Sequence, residues 1–533
     1  MPKHEFIHDP VYGLVPLGQS WYELLNRPWF QRLRRIRQNG VLFLVFPGSE
    51  HTRFTHTIGV LHLMRRLARH VLDPQRCSKS DYSDPYKWLV YCLGALFHDS
   101  AHLPFSHVTE DVYASFTRDG FHIADLHRSK GAFVGGPRLF DSGLVRTASL
   151  LLPQTSSYHE SMAKRVIEAV FSDRLVPVII RRITEDEKLK CRKTSKIDIE
   201  RLKADVVKVV KDPLGPFGVM NPLKSGVDVD NLDYMARDSR AAGVPYGDVA
   251  LEHLIQHVTC SKYKPMHRRK KIPTLAFDSK RLHALEHMLM GRYFLYANVI
   301  LHPTNQAWTT ILRAILLGLI ESDELIGDTA KQLESCLRDP MKHHLLTDDY
   351  LDLAALSHNG TNGELNELCS IWCQRKSPDL YWKWERLLES PSGSLKPALM
   401  PHLHNLIDQF ISGDHPLRKR VFPAVQFVRV LPREHGDRDS AAKIDLTTYV
   451  VDTQIESRSA KAVPIQDRDE CVLNRLRGTE LVMLTVFVWG ENDTVVAETT
   501  SILDAKNARR ELDQHADELA RLLNPERGEA ESH

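Results

Sequence analysis

Apolar residues recur at helical spacing along most of the chain. Leu24, Leu25, Phe30, Leu33 and Ile36 form one stripe, which Pro28 divides into two short helices. Ile58, Leu61, Met64, Leu67 and Val71 predict a longer helix that has His56 in its first turn. Trp88, Leu89, Cys92, Leu93 and Leu96 predict a buried helix running up to His98 and Asp99. Helical patterns return through Met162, Val166, Ile167 and Val170, across residues 175–205, from Asp230 to Asp238, through Leu285, Met288, Leu289 and Tyr293, and across residues 308–320. A short strand is expected at 13–17, and two strand-like runs flank residues 265–271. Residues 321–415 stay helical, with polar loops and no chemistry-bearing pattern. After Pro416 the pattern changes. Residues 425–431, 449–451 and 481–488 read as strands, and a hairpin turn at 490–493 leads into a further run at 494–498. An amphipathic helix with Leu512, Ala516, Leu519 and Leu523 closes the chain. The pattern gives a mainly α protein: a helical core over 1–320, a helical extension over 321–415, a smaller C-terminal α+β domain over 416–524, and a disordered tail over 525–533.

Composition narrows the class. The 533 residues suffice for two or three domains. Apolar content of 42% and charged content of 26% are those of an ordinary water-soluble protein. A formal net charge of +2 gives no basis for broad nucleic-acid coating, although a local positive pocket stays open. The eight cysteines are scattered and form no pair of CxxC motifs, so neither a zinc ribbon nor a disulfide framework is indicated. The start carries no signal-peptide pattern, and no apolar run reaches membrane-span length. A cytoplasmic protein without membrane contact is expected.

The chemistry concentrates in one stretch. His98, Asp99, His102 and His107 lie within ten positions, and His98 and His102 would share a face if the helix ran on. Imidazole and carboxylate together suit a transition-metal or mixed hard/soft cation. A His-Asp pair at the end of a buried helix also needs partners, because unpaired buried polar groups are costly. Asp230, Tyr234 and Asp238 share a second helix face. Arg53, three residues before His56, has the fork geometry for phosphate. His159-Glu160 opens another helix. Arg32, Arg34, Arg35 and Arg37 precede the turn Gln38-Asn39-Gly40 and form either a solvated face or the guard of a pocket mouth. The basic knot at 267–271 is either a charged hairpin loop or a polynucleotide contact. Taken together, His56, His98, Asp99 and Asp230 offer two imidazoles and two carboxylates from three helices. That set suits a divalent metal (Mn, Mg, Fe or Zn) with positions left for water and substrate. A bound metal lowers the pKa of coordinated water toward ~7 in favourable zinc sites. His102, His107 and His159 are candidate general acids or second-metal ligands. Arg53 and Arg292 are candidate phosphate contacts. This is the inventory of metal-assisted phosphoester hydrolysis.

The order His56, His98-Asp99, Asp230 resembles the HD-domain phosphohydrolase superfamily. Within it the chain is similar to the deoxynucleoside triphosphate triphosphohydrolases, the branch with the SAM- and HD-domain-containing restriction factor and bacterial relatives, here without a SAM domain. The similar strings include His8-Asp9-Pro10-Val11-Tyr12-Gly13, Arg53-Phe54-Thr55-His56, His98-Asp99 through His107, His159-Glu160, and Asp228-Val229-Asp230 through Asp238, in the family's order over roughly residues 5–310. The resemblance implies a helical HD core, attack at the α-phosphorus and release of nucleoside and intact triphosphate. It implies metal ligation by His56, His98, Asp99 and Asp230. It implies catalytic roles for His102, His107 and His159, with His107 protonating the leaving sugar oxygen and Glu110 in the place of an orienting aspartate. Arg53 and Arg292 match phosphate contacts; Gln38, Tyr234 and Asp238 match sugar contacts. A homo-oligomer is implied as well. The chain departs from the pattern at Asn39, where the family is apolar against the sugar, at Ile300, where it has an aromatic, and at Asn231, where it has a phosphate-binding lysine. A guanine-reading aspartate is Asn26. Deoxyribose selectivity and guanine-nucleotide activation are therefore not implied. Two other readings stay open: an HD-type nuclease or phosphodiesterase acting on single-stranded nucleic acid, and a non-catalytic nucleotide sensor.

Overall fold

A short antiparallel hairpin, β1 (Glu5–Asp9) and β2 (Gly13–Leu17), begins the described chain. Gly13 takes the left-handed conformation the turn requires (φ 68°), and Asp9 Oδ1 accepts from the Val11 and Tyr12 N–H groups. Helices Gln19–Leu25 and Pro28–Gln31 follow, divided at Pro28 as the sequence predicts. The computed structural model describes residues 5–73, 81–118, 143–151, 158–187, 197–225, 227–263, 271–322, 324–325, 335–336, 338–389, 396–412, 415–429, 449–451, 463–464, 476 and 479–523. The basic residues 265–270, the stretch 119–142 and the tail from 524 lie outside these.

The protein is mainly α. Helices α1 (Arg53–Leu72) and α2 (Pro85–Phe97) pack on each other at the centre of the core. Asp84 caps α2, and every residue from Trp88 to Phe97 is buried, so α2 is an interior helix without a wet face. Helices α3 (His107–Arg118), α4 (Tyr158–Ser172), α5 (Ile199–Lys211) and α6 (Val229–Ala242) surround this pair. Gly59 lets α1 and α6 meet closely: a Cβ there would stand 1.8 Å from Asp233 Oδ1 and 2.5 Å from the Arg237 guanidinium. Strands β3 (Val258–Tyr263) and β4 (Ile272–Asp278) pair as an antiparallel hairpin. Beyond them lie α7 (Leu282–Leu295), a π-helical turn at Tyr296–Ile300, and the buried α8 (Pro303–Glu321). Helices α9 (Pro340–Leu345) and α10 (Asp348–Ser357) fold back toward the start of the core. Among the described residues no helix is long and apolar enough to cross a membrane.

A second hydrophobic cluster belongs to a three-stranded antiparallel sheet of order β5-β9-β6, with β5 at Asp379–Glu389, β6 at Val421–Arg429 and β9 at Thr479–Val488. The sheet thus takes a strand, and its cluster takes helix α11 (Lys396–Phe410), from the stretch read as a helical extension. A register shift falls near the start of β5, between Leu380 and Trp382. The run at 494–498 is not a strand. Asn492 Oδ1 accepts from Val495 N (3.0 Å) and caps a helix, α12 (Asp493–Ala505), despite its β-branched start. The amphipathic α13 (Ala508–Leu523) closes the unit as expected. Of the remaining strands, β7 (Tyr449–Val451) and β8 (Val463–Pro464), β7 runs parallel to β4 and so extends the core's hairpin.

Candidate active site

Helix α2 stops at Phe97, and the next nine residues make a chain of turns: Ser100 N donates to Phe97 O, His102 N to Asp99 O, and Ser106 N to Leu103 O. His98 and His102 therefore do not share a helix face. Asp99 and His102 face each other instead, with Oδ1 and Nε2 3.2 Å apart. Phe105 and Ser106 both take left-handed backbone angles (φ 53° and 56°) immediately before His107. Each such non-glycine residue costs about 1–2 kcal/mol, which the surroundings must offset. Ser106 Oγ donates to Arg37 O (2.8 Å) and accepts from Arg53 Nε (2.7 Å), while Phe105 N donates to Asp348 Oδ1 (2.7 Å).

His56, His98, Asp99 and Asp230 converge. His56 Nε2 lies 3.2 Å from His98 Nε2, 3.0 Å from Asp230 Oδ1 and 3.7 Å from Asp99 Oδ2; His98 Nε2 lies 3.3 Å from Asp99 Oδ1. The outward ring nitrogens are already engaged. His56 Nδ1 is 2.7 Å from Asp233 Oδ2, and His98 Nδ1 is 2.8 Å from Ala95 O. Those acceptors place the ring protons on Nδ1 and turn both Nε2 lone pairs inward. Two lone pairs at this separation, flanked by two carboxylates, repel unless a cation lies among them. Without a metal, a proton on His56 Nε2 facing Asp230 meets the same demand for positive charge. Burial opposes charging His56, yet hydrogen bonds to Asp230 and Asp233 raise its pKa to about 10. Burial also works against the Asp99 anion, but Arg53 NH1 at 2.6 Å, with the neighbouring histidines, holds it well below the usual carboxylate range. The donor set fits a divalent metal ion.

A second cluster adjoins the first through the Asp99–His102 contact. Glu110, buried on α3, gathers three imidazoles: His102 Nδ1 on Oε1, His159 Nδ1 on Oε2 (2.9 Å), and His107 Nδ1 3.4 Å from Oε2. The His102 and His159 rings stack with centroids 3.6 Å apart. Burial, and then the neighbouring His102, push His159 down to about 4. Burial opposes the Glu110 anion too, but His102 and His159 hold it well below its ordinary value. Only His107 opens outward, with its side chain 63% exposed.

The other sequence candidates divide. Arg53 is buried and already donates to Asp99, Ser106 and the Gln38 carbonyl (3.2 Å). Tyr234 donates to Asn231 Oδ1 (2.6 Å) and accepts from Arg292 Nε (3.1 Å), so these three form one linked group. Asp238 is bound to His51 Nε2 (2.8 Å), a partner the sequence did not single out. Gln38 Oε1 and Asn39 Nδ2 are buried with no partner among the described residues. Sequence reasoning also missed Asp233, which accepts from both His56 and Arg237 and is itself completely buried. The signal was present in Asp233 and Arg237, an i, i+4 acid–base pair on the helix that carries Asp230.

Fold and site define a mainly helical protein in which two histidine–carboxylate clusters abut at the ends of converging helices. In its sequence the chain resembles the deoxynucleoside triphosphate triphosphohydrolase branch. It is similar to the uncharacterized protein YwfO of Bacillus subtilis (strain 168), 26% identical over 318 residues, or 59% of this chain and 56% of that protein. It is similar to the deoxynucleoside triphosphate triphosphohydrolase SAMHD1 of Bos taurus, 22% identical over 449 residues (81% of this chain, 67% of that protein), and to that of Gallus gallus, 33% identical over 242 residues (44% and 34%). The chain spans about half the length of curated relatives such as YwfO and the uncharacterized protein MJ1154 of Methanocaldococcus jannaschii. No family model matches it.

Proposed function

We propose that this protein is a metal-dependent hydrolase of nucleoside triphosphates, releasing nucleoside and intact triphosphate. The observation that carries this reading is the inward-facing Nε2 pair of His56 and His98 beside Asp99 and Asp230, joined to a three-histidine cluster by the Asp99–His102 contact. His56, His98, Asp99 and Asp230 hold the metal, and Asp233 and the Ala95 carbonyl orient the two rings. When bound, the metal supplies Lewis acidity toward a phosphoryl oxygen and a water nucleophile near neutral pH.

The protein's own groups supply the rest. Water attacks the α-phosphorus and gives up a proton to solvent as its P–O bond forms, the P–O5′ bond breaks, and the nucleoside oxygen takes up a proton from a donor that solvent then recharges. His107 is the donor, because it is the ring of the cluster that reaches outward and because the Glu110 carboxylate favours its protonated form. His159 is neutral near pH 7 and acts as a hydrogen-bonding wall. Arg292 and Tyr234 form the polar edge for the phosphates and sugar. The unpartnered Gln38 Oε1 and Asn39 Nδ2 match sugar hydroxyls, which supports acceptance of ribose as well as deoxyribose.

The test is direct. Protein stripped with chelator and reloaded with Mn²⁺ or Mg²⁺ is incubated with each ribo- and deoxynucleoside triphosphate, and products are separated by chromatography. Nucleoside and triphosphate in equal amounts, lost on chelation, are expected. Release of phosphate or pyrophosphate, or cleavage of single-stranded nucleic acid in place of mononucleotides, would overturn the reading.

A further inference from the structure

Residues 340–348 lie in a stretch whose sequence offers no chemistry, yet they grip the loop that carries the histidines. Arg32, fully buried, donates from Nε to Leu346 O (2.7 Å) and from NH2 to His102 O (2.6 Å). Asp348 is the more telling residue. An acid in the first turn of a helix ordinarily serves its own helix's free N–H groups. Asp348, 1% exposed at the start of α10, turns away from them. Its Oδ1 accepts from Phe105 N (2.7 Å), 243 positions earlier in the chain, and its Oδ2 accepts from Arg37 N (2.9 Å) with Arg37 NH1 at 3.4 Å.

One carboxylate thus ties two pieces of backbone. The first is the left-handed Phe105–Ser106 turn that aims His107. The second leads directly into Gln38 and Asn39. The two are also joined to each other by Ser106 Oγ donating to Arg37 O. A strained pair of non-glycine residues persists only where the surroundings over-determine it. Here Asp348 does so from α10, whose Leu351, Ala354 and Ala355 pack into the same apolar core although the helix lies some way along the chain.

We propose that Asp348 is a positioning residue: it fixes the His107 turn and the Arg37–Asn39 backbone as one unit, so that α10 sets the geometry of the reaction centre without touching substrate. This rests on reading the Glu110 cluster as the proton-handling part of the site. Movement of α10 would then be felt at His107 through two backbone hydrogen bonds.

The experiment compares the Mn²⁺-loaded protein with Asp348→Ala, Asp348→Asn and, as control, Asp349→Ala, whose exposed acid pairs with Arg35 at the surface. Two quantities are read: kcat and KM on the nucleotide the wild type turns over, and amide hydrogen exchange over residues 103–108 and 36–39. For Asp348→Ala, kcat falls about 100-fold, as expected for a misplaced reacting group, with KM and bound Mn²⁺ within about twofold. Exchange in both segments rises roughly tenfold. Asp348→Asn keeps one carbonyl acceptor and lies between. If Asp348→Ala does not fold, the Asn variant carries the test. Asp349→Ala matches wild type. Unchanged exchange at 103–108, or a kcat loss that follows loss of metal or of folded protein, overturns the proposal. Should the wild type turn over no nucleotide, the functional reading fails, and exchange alone decides whether Asp348 holds the turn.

Discussion

The helical core and the C-terminal sheet use acids in opposite styles. On the sheet, Tyr381, Trp382 and Trp384 each donate to one acid of the covering helices: Asp504 (2.8 Å), Asp513 (2.8 Å) and Asp517 (3.2 Å). Asp504 and Asp517 stay about half exposed. Each aromatic N–H or O–H has its acceptor, and each acid keeps water for its remaining lone pairs. In the core, Asp99 faces Arg53, His98, His102 and His56, and Glu110 faces three imidazoles, both acids being held away from water. Asp504 and Asp517 add only a surface arginine each, Arg509 (3.4 Å) and Arg386 (3.2 Å), and such sparse pairing at a wet rim is what a scaffold needs. Many-to-one convergence in a dry interior concentrates ligating atoms at a high desolvation cost, and it persists where a cation or substrate completes it.

Substitutions can break that contrast, and the largest effect belongs to the point where the two clusters meet. Asp99→Ala removes a metal ligand, the Arg53 partner and the His102 contact together. Turnover should fall by at least ~10³-fold, because the groups act as a unit, and metal content by atomic absorption should fall with it. A variant retaining full activity would sink the assignment. Glu110→Gln comes next. An amide accepts on one side only, so one imidazole loses its acceptor and its orientation. The expected loss is ~10²-fold in kcat, the lower range for general acid–base catalysis, with metal content unchanged. That split between activity and metal distinguishes the second cluster from the first.

Much of this was legible in the chain. Helical spacing marked α1, α2 and α6, and the residue types at His56, His98, Asp99 and Asp230 pointed to one metal set before any distance was known. What stayed hidden depended on tertiary contacts. The end of α2 at Phe97 was hidden because His98 and His102, four positions apart, read as one face of a continuing helix. Strand β5 was lost in a stretch whose neighbours on both sides are helical, and α12 was masked by its β-branched start, although Asn492 was a legible cap. Asp348 was invisible for a deeper reason: an acid in a first helical turn is locally unremarkable, and its partners are hundreds of residues away.

Asp233→Asn probes the support of the first cluster. It leaves all four inward ligands in place but weakens the acceptor that orients His56 and pairs with Arg237. Metal affinity should drop ~10–100-fold, and excess Mn²⁺ should restore most of the turnover, which it cannot do for Asp99→Ala. A titration showing wild-type affinity would mean that Gly59 and helix packing alone orient the ring.

The smallest effect is expected on the sheet, and it completes the contrast. Asp513→Ala removes one acceptor from Trp382 Nε1 and leaves the indole, 6% exposed, packed in its own cluster. A single hydrogen bond of this kind contributes about 1 kcal/mol. Thermal melting should therefore shift by a few degrees while kcat, KM and metal content stay at wild-type values. A large loss of activity in this variant would show that the sheet is coupled to the reaction centre, and that sparse pairing at a wet rim does not by itself mark a region as scaffold. The outcome expected from the geometry is the reverse: the acids that gather buried imidazoles govern chemistry, and the acids paired at the wet rim govern only the stability of the surface they cover.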